Sequence, residues 1–279
     1  MSSIEDALRA GAKTIAVQSD NPQLEAQLLL AHTLEKERSY LYSWPEQTLS
    51  KQQQSRYQSL LERRQSGEPL AYLTGSKEFW SLPLKVTADV LIPRPETEQL
   101  VQLTLDLLPG KARKVTDLGT GSGAIALALA SERPDWQLTA IDNSSAALTV
   151  AQENTKKLGL SNQIEFKLGS WCEPLNTSQH AIVSNPPYIA LADPHLQHNG
   201  LNFEPATALA SGSDGLDDIR RICESARKHL RENGLLLLEH GYRQQSEVIN
   251  ILESYNYSDI RAYQDDQHQN RFVVAKRSI

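Results

Sequence analysis

Asn185-Pro186-Pro187-Tyr188 directly follows the strand-like run His180–Ser184, and its residue types suit one kind of chemistry. The nitrogen of an amide or aromatic amine shares its lone pair with the adjoining π system and is a poor nucleophile. The Asn185 side-chain oxygen and the Pro186 carbonyl, one residue apart on a chain stiffened by Pro187, can each accept one N–H, which draws electron density toward nitrogen and fixes its direction. Tyr188 offers a ring face to the planar group, and its π cloud favours a nearby sulfonium methyl. The tetrapeptide therefore fits methylation of a planar NH2 group, the methyl moving in line from sulfur to nitrogen and the proton leaving afterwards. Taken alone it could be an ordinary proline-rich loop. Its place after a strand, where open α/β sheets bind ligands, and a second motif upstream weigh for chemistry.

That second motif is Asp117-Leu118-Gly119-Thr120-Gly121-Ser122-Gly123, where a strand meets a helix. Gly119, Gly121 and Gly123 permit a tight turn and a close backbone approach, with Thr120 and Ser122 between them and the unpaired N–H groups of a helix start behind. Gly119-x-Gly121-x-x-Ala124 also satisfies the relaxed dinucleotide fingerprint, so a nicotinamide oxidoreductase is a competing reading. Asp117 argues against it: a carboxylate beside the loop repels a pyrophosphate but suits the ammonium of S-adenosylmethionine. Asp142, 19 residues past Gly123, follows the next strand and can accept both hydroxyls of a ribose, which either cofactor contains.

Other residue patterns are weaker. His195-x-x-His198 has the spacing of a metal pair, but nothing completes a ligand set, and a surface loop is the better reading. Cys172 has no base placed beside it to make it a nucleophile. Arg94 and Glu98 fit the mouth of a substrate site and fit a helix start with a first-turn acid equally well.

These motifs need a scaffold. Up to Gly75 the chain reads as helices without strand alternation: Asn21-Pro22 as an N-cap with Pro at N1, leading to Leu24, Leu28, Leu29 and Leu34 on one face, Ser50 to Gln53 as a capping box before Tyr57, Leu60 and Leu61, and Gly75 as a C-cap. From Glu78 to Ile92 the period changes to two through Trp80, Leu82, Leu84 and Val86, as in a hairpin. Pro93-Arg94-Pro95 then opens a helix through Leu100, Leu103, Leu107 and Leu108. Beyond Lys111 strand and helix alternate: strands at Lys114–Leu118, Gln137–Ile141, Ile164–Leu168, His180–Ser184 and Leu235–Glu239, with helices from Ser122, from Ser144 to Gly159, from Asp214 to Leu230 and near Gln244–Leu252. That pattern means βαβ units and a parallel sheet. A closing hairpin, Ser258–Tyr263 with Arg271–Lys276, supplies an antiparallel edge.

The chain has 279 residues, with 28 Lys and Arg against 34 Asp and Glu and a formal net charge of −6. That size suits two domains, and no apolar run approaches the roughly 20 residues of a membrane helix. The start lacks the basic and apolar regions of an export signal, and two cysteines, Cys172 and Cys223, make no disulfide framework. A reduced, cytoplasmic protein is expected. The acidic balance, eight basic and nine acidic residues up to Gly75 included, weighs against bulk binding of nucleic acid.

On these residues the chain resembles the release factor glutamine methyltransferases, which methylate the glutamine side-chain amide in the Gly-Gly-Gln loop of class 1 peptide-chain release factors. Besides the two motifs, the resemblance rests on Glu78-Phe79-Trp80-Ser81-Leu82-Pro83-Leu84, Leu91-Ile92-Pro93-Arg94-Pro95-Glu96-Thr97-Glu98 and Phe203-Glu204-Pro205, and it covers nearly the whole chain. It implies an α/β fold: a Rossmann-like, seven-stranded class I S-adenosylmethionine-dependent methyltransferase domain at residues 94–279, preceded by an all-α release-factor-docking bundle at 1–75 and a β-hairpin linker at 76–93. It implies cofactor contacts from Asp117, the Gly119 to Gly123 loop, Asp142, Trp171 and Asn185, with S-adenosylhomocysteine as product, and substrate contacts from Asn185, Pro186, Pro187 and Tyr188. The expected partner is a class 1 release factor, met by a monomer with no metal, no membrane and no direct DNA contact. Many relatives carry an acid before the tryptophan. Ser170 stands there instead, a neutral acceptor for the adenine amine, so more of the affinity rests on stacking by Trp171. Adenine amino-methylation of DNA or RNA uses the same tetrapeptide and is the alternative within this chemistry.

Overall fold

The computed structural model describes residues 2–110, 112–197 and 200–278. It divides into two compact units, residues 1–76 with 197–203 and residues 77–196 with 204–279.

Among the described residues of the first unit five helices enclose their own core: α1 (Ile4–Ile15), α2 (Pro22–Leu34), α3 (Arg38–Ser43), α4 (Lys51–Gln65) and α5 (Leu70–Thr74). The Asn21 side chain accepts from Leu24 N–H, Ser50 and Gln53 form the reciprocal capping box, and Gly75 ends α5 in the left-handed conformation. The buried face of α2 differs from the leucine stripe expected. Ala26, Leu29, Leu30 and Thr33 point inward, while Leu24, Leu28 and Leu34 are only half-buried. Leucines on several sides of this helix leave its face undetermined, and the small Ala26 and the self-satisfied Thr33, whose hydroxyl donates to Leu29 O at 2.8 Å, tolerate the closest packing.

The second unit opens with a hairpin, β1 (Ser76–Phe79) and β2 (Leu82–Lys85). Its turn residues, Trp80 and Ser81, both have positive φ, 54° and 58°. Such a turn normally uses Gly or Asn. Here side chains from elsewhere hold it: Glu98 Oε1 accepts from Trp80 N–H and Glu132 Oε1 from the Trp80 indole, both at 2.9 Å. Trp80 therefore sits in the turn, and between Glu78 and Ile92 the buried residues are Phe79, Leu84, Val86, Val90 and Ile92.

Then follow α6 (Thr97–Leu107), β3 (Lys114–Leu118), α7 (Ala124–Glu132), β4 (Gln137–Asp142), α8 (Ser145–Lys157), β5 (Ile164–Leu168), β6 (Gln179–Ser184), α9 (Asp217–His229), β7 (Leu230–Glu239), α10 (Gln245–Ser254), β8 (Tyr257–Gln264) and β9 (Asn270–Arg277). The buried face of α6 is Thr97, Leu100, Val101, Thr104 and Leu105, with Leu103 and Leu107 only partly covered. Among the described residues the larger sheet has seven strands in the order β5-β4-β3-β6-β7-β9-β8. Pairings from β5 to β7 are parallel and those of β9 antiparallel. The antiparallel strand is thus β9, inserted between β7 and the edge strand β8, rather than the edge itself. Apolar clusters cover both faces of the sheet, one including Leu127, Trp136 and Phe272, the other Ile182, Ile219 and Leu252. The strand order reverses at β3, and Leu118 lies opposite Ile141 on one side and Ser184 on the other. The loops leaving β3, β4 and β6 therefore open side by side at the carboxyl edge, the place where such sheets bind ligands.

Candidate active site

Gly119, Gly121, Asp142, Ser170, Trp171, Asn185 and Pro187 line one cavity at this edge. Thr120, Ser122, Gly123, Asp117, Pro186 and Tyr188 are not among its lining residues. The Asp142 carboxylate is the organising group: Oδ2 accepts from Gly121 N–H and Oδ1 from Ser144 N–H, each at 2.9 Å. Those bonds hold the glycine loop against β4 and leave each oxygen a further lone pair. Burial pushes the Asp142 carboxyl up from its ordinary value, against the opposing N–H groups of Ser144, Gly121 and Asn143. Trp171 has a left-handed backbone, φ 46°, and a Cβ built on Gly119 would stand 3.5 Å from its ring. The loop's first glycine and the indole are therefore in contact.

Asp117 lies behind the loop, fully buried. Its Oδ2 accepts from the Thr120 hydroxyl at 2.6 Å and from Ala126 N–H at 3.2 Å, tying the loop to the start of α7. Its Oδ1 is buried with no partner among the described residues. Burial pushes the carboxyl up to about 7. A carboxyl whose folded value exceeds its unfolded one, near 4, stabilises the fold while protonated and loses that contribution as pH rises between the two values. The unfolding free energy of the parent minus that of Asp117→Asn is therefore expected to fall as pH rises from about 4 to about 7, measured by urea denaturation at a series of pH values.

The Asn185 to Tyr188 segment is held from below and from the side. Ser184 Oγ donates to Leu118 O at 2.7 Å. Gln244 Nε2 donates to Tyr188 O at 2.9 Å. The Asn185 amide donates through Nδ2 to Thr97 Oγ1 at 3.0 Å, Thr97 donates to Glu239 Oε2 at 2.8 Å, and the Tyr188 hydroxyl donates to Glu239 Oε1 at 3.3 Å. Glu239 ends β7, the strand beside β6, and burial pushes its carboxyl up to about 7. Burial and the neighbouring Glu239 carboxylate also push the Tyr188 phenol up, so it remains a donor.

Gly215 shares in this support. At φ +80° its missing Cβ would stand 2.3 Å from Tyr188 O, so an alanine must displace the tetrapeptide or its own turn. Gly215→Ala is expected to destabilise the second unit by about 1–3 kcal/mol, read as a lower urea midpoint at unchanged slope.

Neither Arg94 nor Glu98 lines the cavity. Arg94 pairs with Glu204 Oε1 at 2.5 Å, whose Oε2 accepts Ile92 N–H at 3.0 Å, and Glu98 holds the hairpin turn. The segments 78–84, 91–98 and Glu204 thus converge on one another as framework. His195 is exposed, with Nδ1 2.7 Å from Asp193 Oδ1, and His198 lies outside the described residues. Among the described residues no group of three or more His, Cys, Asp and Glu could hold a metal ion. Both cysteines are free and buried, and burial pushes Cys172 up to about 11 and Cys223 to about 12. Sequence reasoning missed Thr97, Glu239 and Gln244, and it missed the wall residues Val90, Thr207, Asp218 and Arg221. A signal existed for Glu239, an acid closing a run of four leucines.

Two family models match in chain order: the PrmC N-terminal domain over residues 6–75 and the methyltransferase small domain over residues 97–200. The chain is 43% identical over 277 residues to a release factor glutamine methyltransferase of Aliivibrio fischeri, covering 98% of this chain and 97% of that one. It is 46% identical over 279 residues to the protein of the same name from Coxiella burnetii, covering 99% and 100%. A solved methyltransferase from Pyrococcus furiosus shares the fold, with a TM-score of 0.54 and 15% identity over 81% of this chain and 100% of that one. Close identity along nearly the whole length, helical unit and sheet alike, means that the chain belongs to the release factor glutamine methyltransferase family.

Proposed function

We propose that this protein methylates the side-chain amide of the glutamine in the Gly-Gly-Gln motif of class 1 peptide-chain release factors, with S-adenosylmethionine as methyl donor. The observation that carries the reading is the Asn185 side chain at the carboxyl end of β6, its Nδ2 engaged by Thr97 and its residue on the wall of the cavity shared with Asp142 and Trp171.

The residues present fit S-adenosylmethionine. Asp142 keeps free lone pairs beside the loop for two ribose hydroxyls, and a Cβ on Gly121 would meet nothing within 4 Å, so that glycine faces open space. Trp171 offers a ring face for adenine, Ser170 a neutral acceptor, and Asp117 Oδ1 a buried acceptor without a partner, suited to a cation. When bound, S-adenosylmethionine supplies an electrophilic sulfonium methyl. The chain's own part is to bind and orient the amide. Asn185 Oδ1 and the Pro186 carbonyl accept its two N–H groups, Pro187 stiffens the loop that carries them, and the Tyr188 ring covers the planar group. No strong base is required, because the amide nitrogen is acidic once it is cationic. The helical unit, matched to the PrmC N-terminal domain, would dock the release factor, with the protein acting as a monomer. Its free thiols suit the reducing cytoplasm where release factors work, and among the described residues no helix is long and apolar enough to cross a membrane.

The deciding experiment incubates the protein with S-adenosylmethionine and a purified class 1 release factor and maps the product by peptide mass spectrometry. A methyl on the Gly-Gly-Gln glutamine is expected. An unmodified factor beside methylated adenine in added RNA or DNA would overturn the reading in favour of the nucleic-acid alternative.

A further inference from the structure

Glu239 is 1% exposed, and its two carboxylate oxygens reach both ends of the reactive tetrapeptide, Asn185 through Thr97 and Tyr188 directly. We infer that Thr97 and Glu239 are positioning residues for methyl transfer, which fix the end of the Asn185 side-chain amide that faces the substrate. The inference rests on the acceptor role of Asn185 proposed above.

An Asn side chain has nearly the same shape in its two amide orientations, one presenting oxygen and the other NH2. A substrate amide that donates N–H needs the oxygen. An NH2 in that place would set donor against donor. In its ionised form, which predominates above about pH 7, Glu239 can only accept, so the single Thr97 hydroxyl proton is committed to it at 2.8 Å. What Thr97 then has left for Asn185, 3.0 Å away, is a lone pair, and only the Nδ2 end of the amide can use it. Nδ2 is thereby turned toward Thr97, and Oδ1 is left for the substrate. The ionised Glu239 thus fixes the amide orientation from outside the amide itself. Thr97 lies on the buried face of α6, next to the Pro93-Arg94-Pro95 turn. Glu239 lies on β7, one residue beyond the Ser184–Leu238 pair that joins β7 to β6. Tyr188, bound by the other oxygen of Glu239, keeps its ring in register with the same anchor. The arrangement thus acts on the substrate only through Asn185 and Tyr188.

Thr97→Val removes the hydroxyl at nearly constant shape, and Thr97→Ser restores it. With the full-length protein, S-adenosylmethionine and a release factor, Thr97→Val is expected to lower kcat by about 10- to 100-fold, the loss of one well-placed acceptor. The Kd for S-adenosylmethionine and the KM for the factor should stay within about twofold, and Thr97→Ser should return kcat to within about threefold of the parent. A second readout needs no turnover. In the ¹⁵N–¹H spectrum of the protein without ligands, the Asn185 side-chain NH2 signal, assigned by its loss in Asn185→Asp, should include one proton protected from exchange with water. That protection should vanish in Thr97→Val and return in Thr97→Ser. Parent kcat in Thr97→Val, or an Asn185 NH2 that exchanges freely in the parent, overturns the inference, and the parent spectrum decides even if Thr97→Val does not fold. Should the parent itself fail to methylate the release factor, the proposed function falls, while the Asn185 spectrum still tests the orientation separately.

Discussion

Asn185→Ala is expected to lower kcat for methyl transfer to a release factor by about 10²–10³-fold while raising the Kd for S-adenosylmethionine no more than about fivefold. The magnitude is that of removing one preorganised hydrogen-bonding group aimed at the reacting centre. An amide nitrogen is held in line by two acceptors in the proposed site, and alanine leaves only the Pro186 carbonyl. The loss belongs to turnover because the interaction strengthens as the nitrogen becomes cationic and its N–H groups become better donors. Binding of the methyl donor rests on other groups: Asp142, Trp171 and the glycine loop share the cavity wall with Asn185. Initial rates by peptide mass spectrometry, with calorimetric titration of S-adenosylmethionine, measure the two effects separately. Equal loss of binding and turnover would contradict the acceptor role and make Asn185 a cofactor-site residue instead.

The complementary expectation concerns Asp142. Asp142→Ala should weaken S-adenosylmethionine binding by about a hundredfold or more, since a hydrogen bond to a charged group contributes about 1.5–3 kcal/mol and the proposed site uses two to the ribose. The same substitution releases Gly121 N–H and Ser144 N–H, each now 2.9 Å from a carboxylate oxygen, so the loop loses its tie to β4 as well. Asp142→Asn keeps the shape but loses the charge and one acceptor, and its affinity should lie between the two. Calorimetry gives the answer directly. A Kd for Asp142→Ala within twofold of the parent would remove Asp142 from the cofactor site.

Much of this site is written locally. The strands Lys114–Leu118 and Ile164–Leu168 have the bounds expected from their hydropathy, and the alternation beyond Lys111 becomes a mostly parallel sheet because short βα units specify their own pairing. The glycine loop, Asp142 and Asn185 are legible because each follows a strand directly, and a parallel sheet gathers such positions at one edge. Helix faces were harder to read. α2 and α6 carry leucines on more than one side, and periodicity gave no weight to Thr33, Thr97 or Thr104, polar residues that are buried because their hydroxyls find partners within or beyond the helix. The role of Asp117 was legible as a position and not as an orientation: its carboxylate turns inward to the Ala126 N–H of the helix start. Thr97, Glu239 and Gln244 have meaning only once β7 lies beside β6 and α6 packs against both, an adjacency no local pattern encodes.

The two halves of the site differ in how far the chain must travel to build them. The Gly121–Asp142 bond closes a loop of 21 residues, within one βαβ unit. The Asn185–Thr97 and Thr97–Glu239 bonds close loops of 88 and 142 residues, and loop-closure entropy makes such contacts late to form. The tie between the glycine loop and Asp142 is thus made within one βαβ unit, whereas the acceptor that directs the methyl is anchored through contacts 88 and 142 residues apart. The orientation of Asn185 therefore depends on the pairing of β6 with β7 and on the packing of α6 against both, a property of the whole sheet and not of any one βα unit.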